Sequence, residues 1–260
     1  MFMKKGFVIL AVAIMTSVAV FAQSNDFYGV VYVGGTLPIG DYGKVVMQDG
    51  KVSRWGLQDN SPYGGVGLGA NAGFFGGKRI SGIEELSAFV SMDFFFNPLN
   101  KTMRNYKELL AVENTNTYDM YEHEFPVYFN IPLLFGFRYD FYTSKRNLSF
   151  FAEASMGVNF LMITDKSQSW NMYKHTSEAY NEIERYKSKF SFALSVGGGA
   201  VLLEKIQVGL HYHYLGATRI ISDSEIEYHT DAGVLEEKKT ANYRGFISPH
   251  LLSLRVGYMF

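Results

Sequence analysis

His211 and His213 stand two residues apart in a stretch where Ile206, Val208, Leu210, Tyr212 and Tyr214 alternate with Gln207, Gly209 and the two histidines. Residues two apart on a strand project to the same face. The pair would hold a metal if a carboxylate or a third histidine joined it, because a site needs three or four ligands. A third histidine is missing nearby and the chain has no cysteine. Hydrogen bonding on a shared face is therefore the expected use, with no metal and no cofactor. A serine nucleophile needs a histidine within hydrogen-bond reach. His250 and Ser253 differ in parity, and His175 and Ser177 fall in a loop-like segment, so no catalytic residue is expected. "GGVGLG" (Gly64 to Gly69) has the glycines of a phosphate loop but not the strand–turn–helix setting or the Lys-Ser/Thr pair that chemistry requires. Inward glycines on a tightly curved strand are the expectation there, and likewise for "VGGGA" (Val196 to Ala200).

Four charged residues are more informative. Glu85, Arg138, Glu153 and Arg255 share the inward parity of four different strands, each within a few residues of the same strand end. Buried charges persist only when paired. Two acids and two bases at similar depth are expected to form one structural, plug-like cluster, with His211 and Asp140 nearby. The competing reading is a gated conduction path.

The elements that must position these residues follow from period-2 alternation, the mark of strands with two different faces. Eight are legible: Phe27 to Thr36, Tyr63 to Phe75, Ile83 to Phe96, Phe125 to Phe141, Leu148 to Asp165, Lys189 to Leu203, Ile206 to Thr218, and Phe246 to Phe260. In the first, "YGVVYVGG" fits either parity. Pro126 and Pro132 lack the N–H that a closed ladder needs, so a bulge is expected near Pro132. Short connections (Gly76 to Gly82, Tyr142 to Asn147, Glu204-Lys205) alternate strictly with long polar ones (Leu37 to Pro62, Asn97 to Glu124, Lys166 to Ser188, Arg219 to Gly245). That is the layout of an antiparallel membrane barrel with short periplasmic turns and long external loops. One long connection, "NKTMRNYKELLAVEN" (Asn100 to Asn114), has the composition for a helical turn or two.

Alternation alone fits a soluble eight-stranded barrel equally well, with the apolar parity inside. Lysine decides between the two. Every lysine beyond residue 22 lies in a loop, a turn or the opening residue of a strand, whereas water would tolerate lysines across an exposed strand face. The polar parity is Gly, Ser and Asn with a few charges and histidines, the filling of a narrow interior. The apolar parity, rich in Phe, Tyr, Leu and Val, then faces lipid, and the sheet must close because hydrocarbon leaves no backbone group unpaired. The expected fold is all-β: a closed eight-stranded antiparallel transmembrane β-barrel over 23–260.

Lys4 and Lys5 precede an apolar run from Gly6 to Phe21 that stops at Ala22. This matches a secretory signal peptide over 1–22, and the run is short for a membrane-anchoring helix. Without Lys4 and Lys5 the chain carries 22 basic against 25 acidic residues, a net of −3. That near-balance argues against nucleic acid as a partner.

The signal end "FAQ", "GTLPIGDYG" (Gly35 to Gly43), "NIPLLFGFRY" (Asn130 to Tyr139) and the aromatic Phe260 together resemble the outer-membrane β-barrel domain family of the Bacteroidetes type, the PorT-like barrels. The resemblance spans nearly all of 23–260. It implies residence in the outer membrane, and it implies that the last strand, ending in Phe260, is read by the barrel-assembly machinery. Expected partners are outer-membrane lipids, that machinery, and envelope or secretion-system proteins, with the chain itself a monomer. Two roles stay open: a structural or interaction protein working through its external loops, and a transport-related component, either a minor pore or a secretion accessory. A barrel enzyme modifying lipid A lacks its Ser–His pair.

Overall fold

The computed structural model describes residues 27–44, 46–48, 51–54, 64–101, 119–143, 147–172, 178–229 and 235–260. The signal segment 1–22 and most of Asn100 to Asn114 lie outside these residues. In chain order the strands are β1 (Phe27–Pro38), β2 (Val46–Gln48), β3 (Lys51–Arg54), β4 (Gly69–Ile80), β5 (Ile83–Pro98), β6 (Asp119–Glu124), β7 (Val127–Tyr142) and β8 (Leu148–Ile163). They continue with β9 (Lys166–Met172), β10 (Glu178–Tyr186), β11 (Lys189–Leu202), β12 (Ile206–Tyr214), β13 (Thr218–His229), β14 (Leu235–Ile247) and β15 (His250–Met259).

Eight of these close a barrel in the order β1-β15-β12-β11-β8-β7-β5-β4, every pair antiparallel. Closure joins β1 to β15 from Val30 opposite Met259 through Pro38 opposite Leu251. It is completed by Phe260, whose N–H and C=O both bond to Gly29. The outward parity forms a continuous apolar belt: Val33 is 64% exposed, with Phe135, Phe137, Val158, Phe192, Leu210 and Leu254 around the wall. An exposed apolar girdle on a closed barrel is the surface of a membrane-spanning sheet. The ambiguous first strand turns Tyr28, Val30 and Tyr32 inward and Val31 and Val33 outward.

Two expectations about this wall are corrected. The second barrel strand begins at Gly69, not Tyr63, and runs to Ile80. Gly64 to Gly67 is therefore not part of a curved barrel strand; Val66 pairs in strand fashion only through an isolated bridge to Leu99. Pro132 also produces no bulge. The β5–β7 register is the same before and after it, and only the pairs at Ile131 and Pro132 drop out. The β7–β8 ladder runs through Pro132 uninterrupted. The missing N–H thus faces β5, and the strand absorbs it as a local gap.

The long connections are more ordered than their polarity suggests. Their strands form a second, five-stranded antiparallel sheet in the order β14-β13-β10-β9-β6. This order copies the barrel order of β15, β12, β11, β8 and β7, so five barrel strands each continue past a short break. The breaks are Phe125-Pro126, Thr164-Asp165, Lys187-Ser188, Leu215 to Ala217 and Ser248-Pro249. Proline or a glycine of positive φ (Gly216, +82°) marks three of them. At three breaks the buried parity also switches. It is odd in β8, β11 and β12 (Leu161, Ala193, His213) and even above them (Lys166, Glu184, Ser222).

Candidate functional site

Three layers fill the lumen. The lowest is built around Arg138, 1% exposed and set inward on β7. Its Nε lies 2.9 Å from Asp140 Oδ1, and its Nη1 donates to Gln207 Oε1 at 2.7 Å. The guanidinium rests 4.1 Å from the centroid of the Phe151 ring. Glu153 is the cross-strand neighbour of Arg138, and its carboxylate lies 2.6 Å from His211 Nε2. Gly197 faces His211 on the next strand, and a Cβ there would overlap the ring, so this inward glycine makes room for the imidazole.

The middle layer centres on Arg255. Its Nη2 lies 2.8 Å from Asp93 Oδ1 and donates to His213 Nε2 at 2.7 Å, while Nε donates to Ser253 Oγ at 3.1 Å. Tyr32 donates to the same Asp93 oxygen at 2.7 Å and lies beneath the guanidinium, 4.5 Å from centroid to carbon. The His–Ser pair that the sequence did not reveal is here: His213 Nε2 and Ser253 Oγ are 3.1 Å apart. It is not arranged for nucleophilic attack. Arginine only donates, so Nε2 is occupied as an acceptor. Both side chains are fully buried, and among the described residues nothing orients His213 Nδ1.

The upper layer is a seal. Asn97, Asn130 and Asn159 point into the lumen and hold pieces of the long connections inside the mouth. Asn130 Nδ2 donates to the Tyr42 hydroxyl at 3.1 Å, Asn159 Nδ2 to the Leu215 carbonyl at 3.2 Å, and Asn97 Nδ2 to the Gly67 carbonyl at 3.1 Å. Tyr128 donates to the Gly64 carbonyl at 2.9 Å. Tyr42, Val66, Leu99, Leu215, Ile220 and Ile247 then pack as an apolar cork. The Gly64 to Gly67 backbone is held by side-chain donors, and Gly65 has a φ of +60° that favours glycine.

Among the four charges expected to cluster, Arg138, Glu153 and Arg255 lie in the lumen, but in two layers rather than one. Glu85 joins neither. Ser87, not Glu85, stands opposite Arg138, so Glu85 sits two residues nearer the short-turn rim, half-buried and in no ion pair among the described residues. Asp93 supplies the acid for Arg255 instead. Its parity with Ser87, Phe89 and Phe95 is readable in the sequence, but it lies deeper along β5 than the rim at which Glu85 sits. At the short-turn end the lumen opens into a vestibule of about 690 Å³ lined by Tyr28, Arg79, Asp140, Asn147, Lys205 and Phe260 among others. Phe260 itself, at the rim of this vestibule, is 44% exposed.

The second sheet has two chemically distinct faces. Its inner face buries Lys166 between Glu182 and Glu184, with Nζ 3.6 Å from each carboxylate, and Ser222 and Ser224 donate to the same two acids. Its outer face carries a charge ladder: Lys187 to Asp223 at 2.9 Å, Arg185 to Glu225 at 2.8 Å, and Lys238 to both Glu225 and Glu227. Hydrogen bonds from Arg185 and then Lys238 hold the Glu225 carboxyl below its ordinary value. Bonds to Glu227 and Glu225 raise Lys238. Period-2 alternation in Thr218 to Glu227, with Ile220, Ser222 and Ser224 against Arg219, Asp223 and Glu225, was the signal for this sheet.

No family model matches the sequence, and no curated protein matches it either. Several solved barrels are similar in structure. The attachment invasion locus protein Ail of Yersinia pestis covers 90% of this chain and 99% of its own, at 11% identity and a TM-score of 0.37. The outer membrane protein OprG from Pseudomonas aeruginosa covers 90% and 96%, at 10% identity and a TM-score of 0.41. A major outer membrane protein from Thermus thermophilus covers 90% and 99%, at 11% identity and a TM-score of 0.42. Likenesses this low say nothing of the chain's role.

Proposed function

We propose that the chain is a non-enzymatic outer-membrane barrel of the PorT-like type that does not conduct, and that it presents a β-sheet outside the membrane for interaction with envelope or secretion-system proteins. The layered lumen carries this reading: two buried arginine networks and an apolar cork stand between the vestibule and the far mouth. Eight strands leave an interior only wide enough for side chains, and here side chains occupy it. That favours the interaction role over the minor pore, while a secretion accessory would use the same sheet. The protein is expected to sediment with outer membranes, to migrate differently in detergent gels before and after boiling, and to stay silent in planar bilayers. Large steady currents from the unmodified barrel would overturn the closed-lumen reading, and recovery of native protein from the soluble periplasm would overturn the membrane placement.

Phe260 serves, on this proposal, as the residue read by the barrel-assembly machinery after export by the 1–22 signal peptide. Its side chain is 44% exposed while its backbone bonds only to Gly29. Phe260→Ala keeps those backbone bonds and is expected to slow appearance of the heat-modifiable form in a membrane-assembly assay, with the finished barrel's stability little changed. An unaltered assembly rate counts against the signal role.

A further inference from the structure

The outer face of the second sheet has a feature that the ion ladder does not absorb. Arg219 and Arg244 are both exposed and project from this face, and no hydrogen bond, ion pair or ring contact engages either guanidinium among the described residues. Arg219 stands opposite Phe246 and Ile221 opposite Arg244, so the arginines are diagonal neighbours across β13 and β14. Diagonal pairs on one sheet face are about 7–8 Å apart, within joint reach of one anion held by two long side chains. Lys187 flanks the pair on the other side, since its N–H bonds to the Ile221 carbonyl. The nearest acid on that face, Asp223, is already taken by Lys187 at 2.9 Å. Two like charges side by side repel, a cost that a bound anion would remove.

The position of the pair selects the anion. Beside and below Arg219 the wall turns apolar: Phe246, its direct partner on β14, is 43% exposed, and Phe190 and Phe192 on the neighbouring β11 are 74% and 53% exposed. Aromatic girdles mark the membrane–water boundary of such barrels. The arginines therefore sit at headgroup height, on the long-connection side, with an apolar floor beneath for acyl chains. Guanidinium forks fit phosphate oxygens in a planar, two-pronged manner.

We propose that Arg219 and Arg244, assisted by Lys187, form a binding site on the barrel's outer wall for the phosphate of an anionic outer-leaflet glycolipid whose acyl chains lie against Phe246, Phe190 and Phe192. The site rests on the outer-membrane placement above. Purified protein is reconstituted into phosphatidylcholine vesicles doped with lipid A, dephosphorylated lipid A or phosphatidylglycerol, and retained lipid is measured after mild extraction. Wild type is expected to retain lipid A over both others. Arg219→Ala/Arg244→Ala should lose about tenfold, as expected for removing charge-assisted bonds. Arg219→Lys/Arg244→Lys should keep part of the binding, and Arg79→Ala, at the opposite rim, should keep all of it. A heat-modifiability gel establishes that each variant is folded. Equal retention of phosphatidylglycerol, undiminished binding by the double alanine variant, or indifference to the phosphate would each overturn the site. A protein that fails to enter vesicles refutes the membrane placement instead, so the two failures are distinguishable.

Discussion

Arg255→Met is expected to lower the barrel's unfolding free energy by about 3–5 kcal/mol, the usual cost of removing one partner from a buried ion pair. The change strands Asp93, which is 1% exposed and keeps only the Tyr32 hydroxyl as a donor. It also removes the donors that Ser253 and His213 accept. The loss should be read as a lowered urea midpoint in reversible unfolding from phospholipid vesicles. The double variant Arg255→Met/Asp93→Leu tests the cause, because replacing both members with apolar side chains is often neutral or stabilising. Recovery of most of the loss places the effect on Asp93's uncompensated charge. A double variant as unstable as Arg255→Met alone would mean that the arginine acts by packing over the Tyr32 and Phe95 rings.

Arg138→Leu is expected to show a comparable loss with a different signature. The side chain makes two polar contacts, to Asp140 and Gln207, and lies on the Phe151 face. Asp140 is nearer the vestibule than Asp93 is, with 16% of its side chain exposed, so water can solvate it when the arginine is gone. The destabilisation should therefore fall at or below the lower end of the range for buried pairs, about 3 kcal/mol. Planar-bilayer conductance should stay near zero, because the Arg255 layer and the apolar cork lie beyond. A variant that folds with unchanged stability but conducts steadily would show that Arg138 is the gate and that the upper layers are not a seal.

The barrel was legible because its physics is periodic. Alternation identified all eight strands, and lysine exclusion pointed the aromatic parity toward lipid. The lumen chemistry was half legible. Parity placed Arg138, Glu153, Arg255 and His211 inward, but which acid meets which base depends on strand stagger, which no single strand encodes. Glu85 and Asp93 share a parity on β5; only the pairing of Ser87 with Arg138 separates them. The second sheet was hidden for another reason. At Thr164-Asp165, Lys187-Ser188 and Leu215 to Ala217 the buried parity switches, so an alternation carried across these breaks cancels itself and the segment looks like loop. The corked mouth was illegible because its donors, Asn97, Asn130 and Asn159, resemble ordinary lumenal polar residues until the backbone they hold is seen.

The closing seam between β1 and β15 has a consequence for how the wall can be built. Val30 faces Met259 and Gly29 bonds both ways to Phe260, so this contact joins the two most distant parts of the described chain. The other seven barrel pairs join barrel strands that follow one another in the chain, through short turns or through the long connections, and can zip as hairpins. Loop-closure entropy grows with the length enclosed, and folding slows as contacts become less local. The seam is thus the step with the largest entropic hurdle and comes last. Until it forms, β1 and β15 are open edges inside a hydrocarbon layer that offers their backbones no hydrogen bonds. The intermediate most exposed to misassembly is a curved, seven-seam sheet awaiting its eighth, and its rate of closure is governed by the few residues around Gly29 and Phe260.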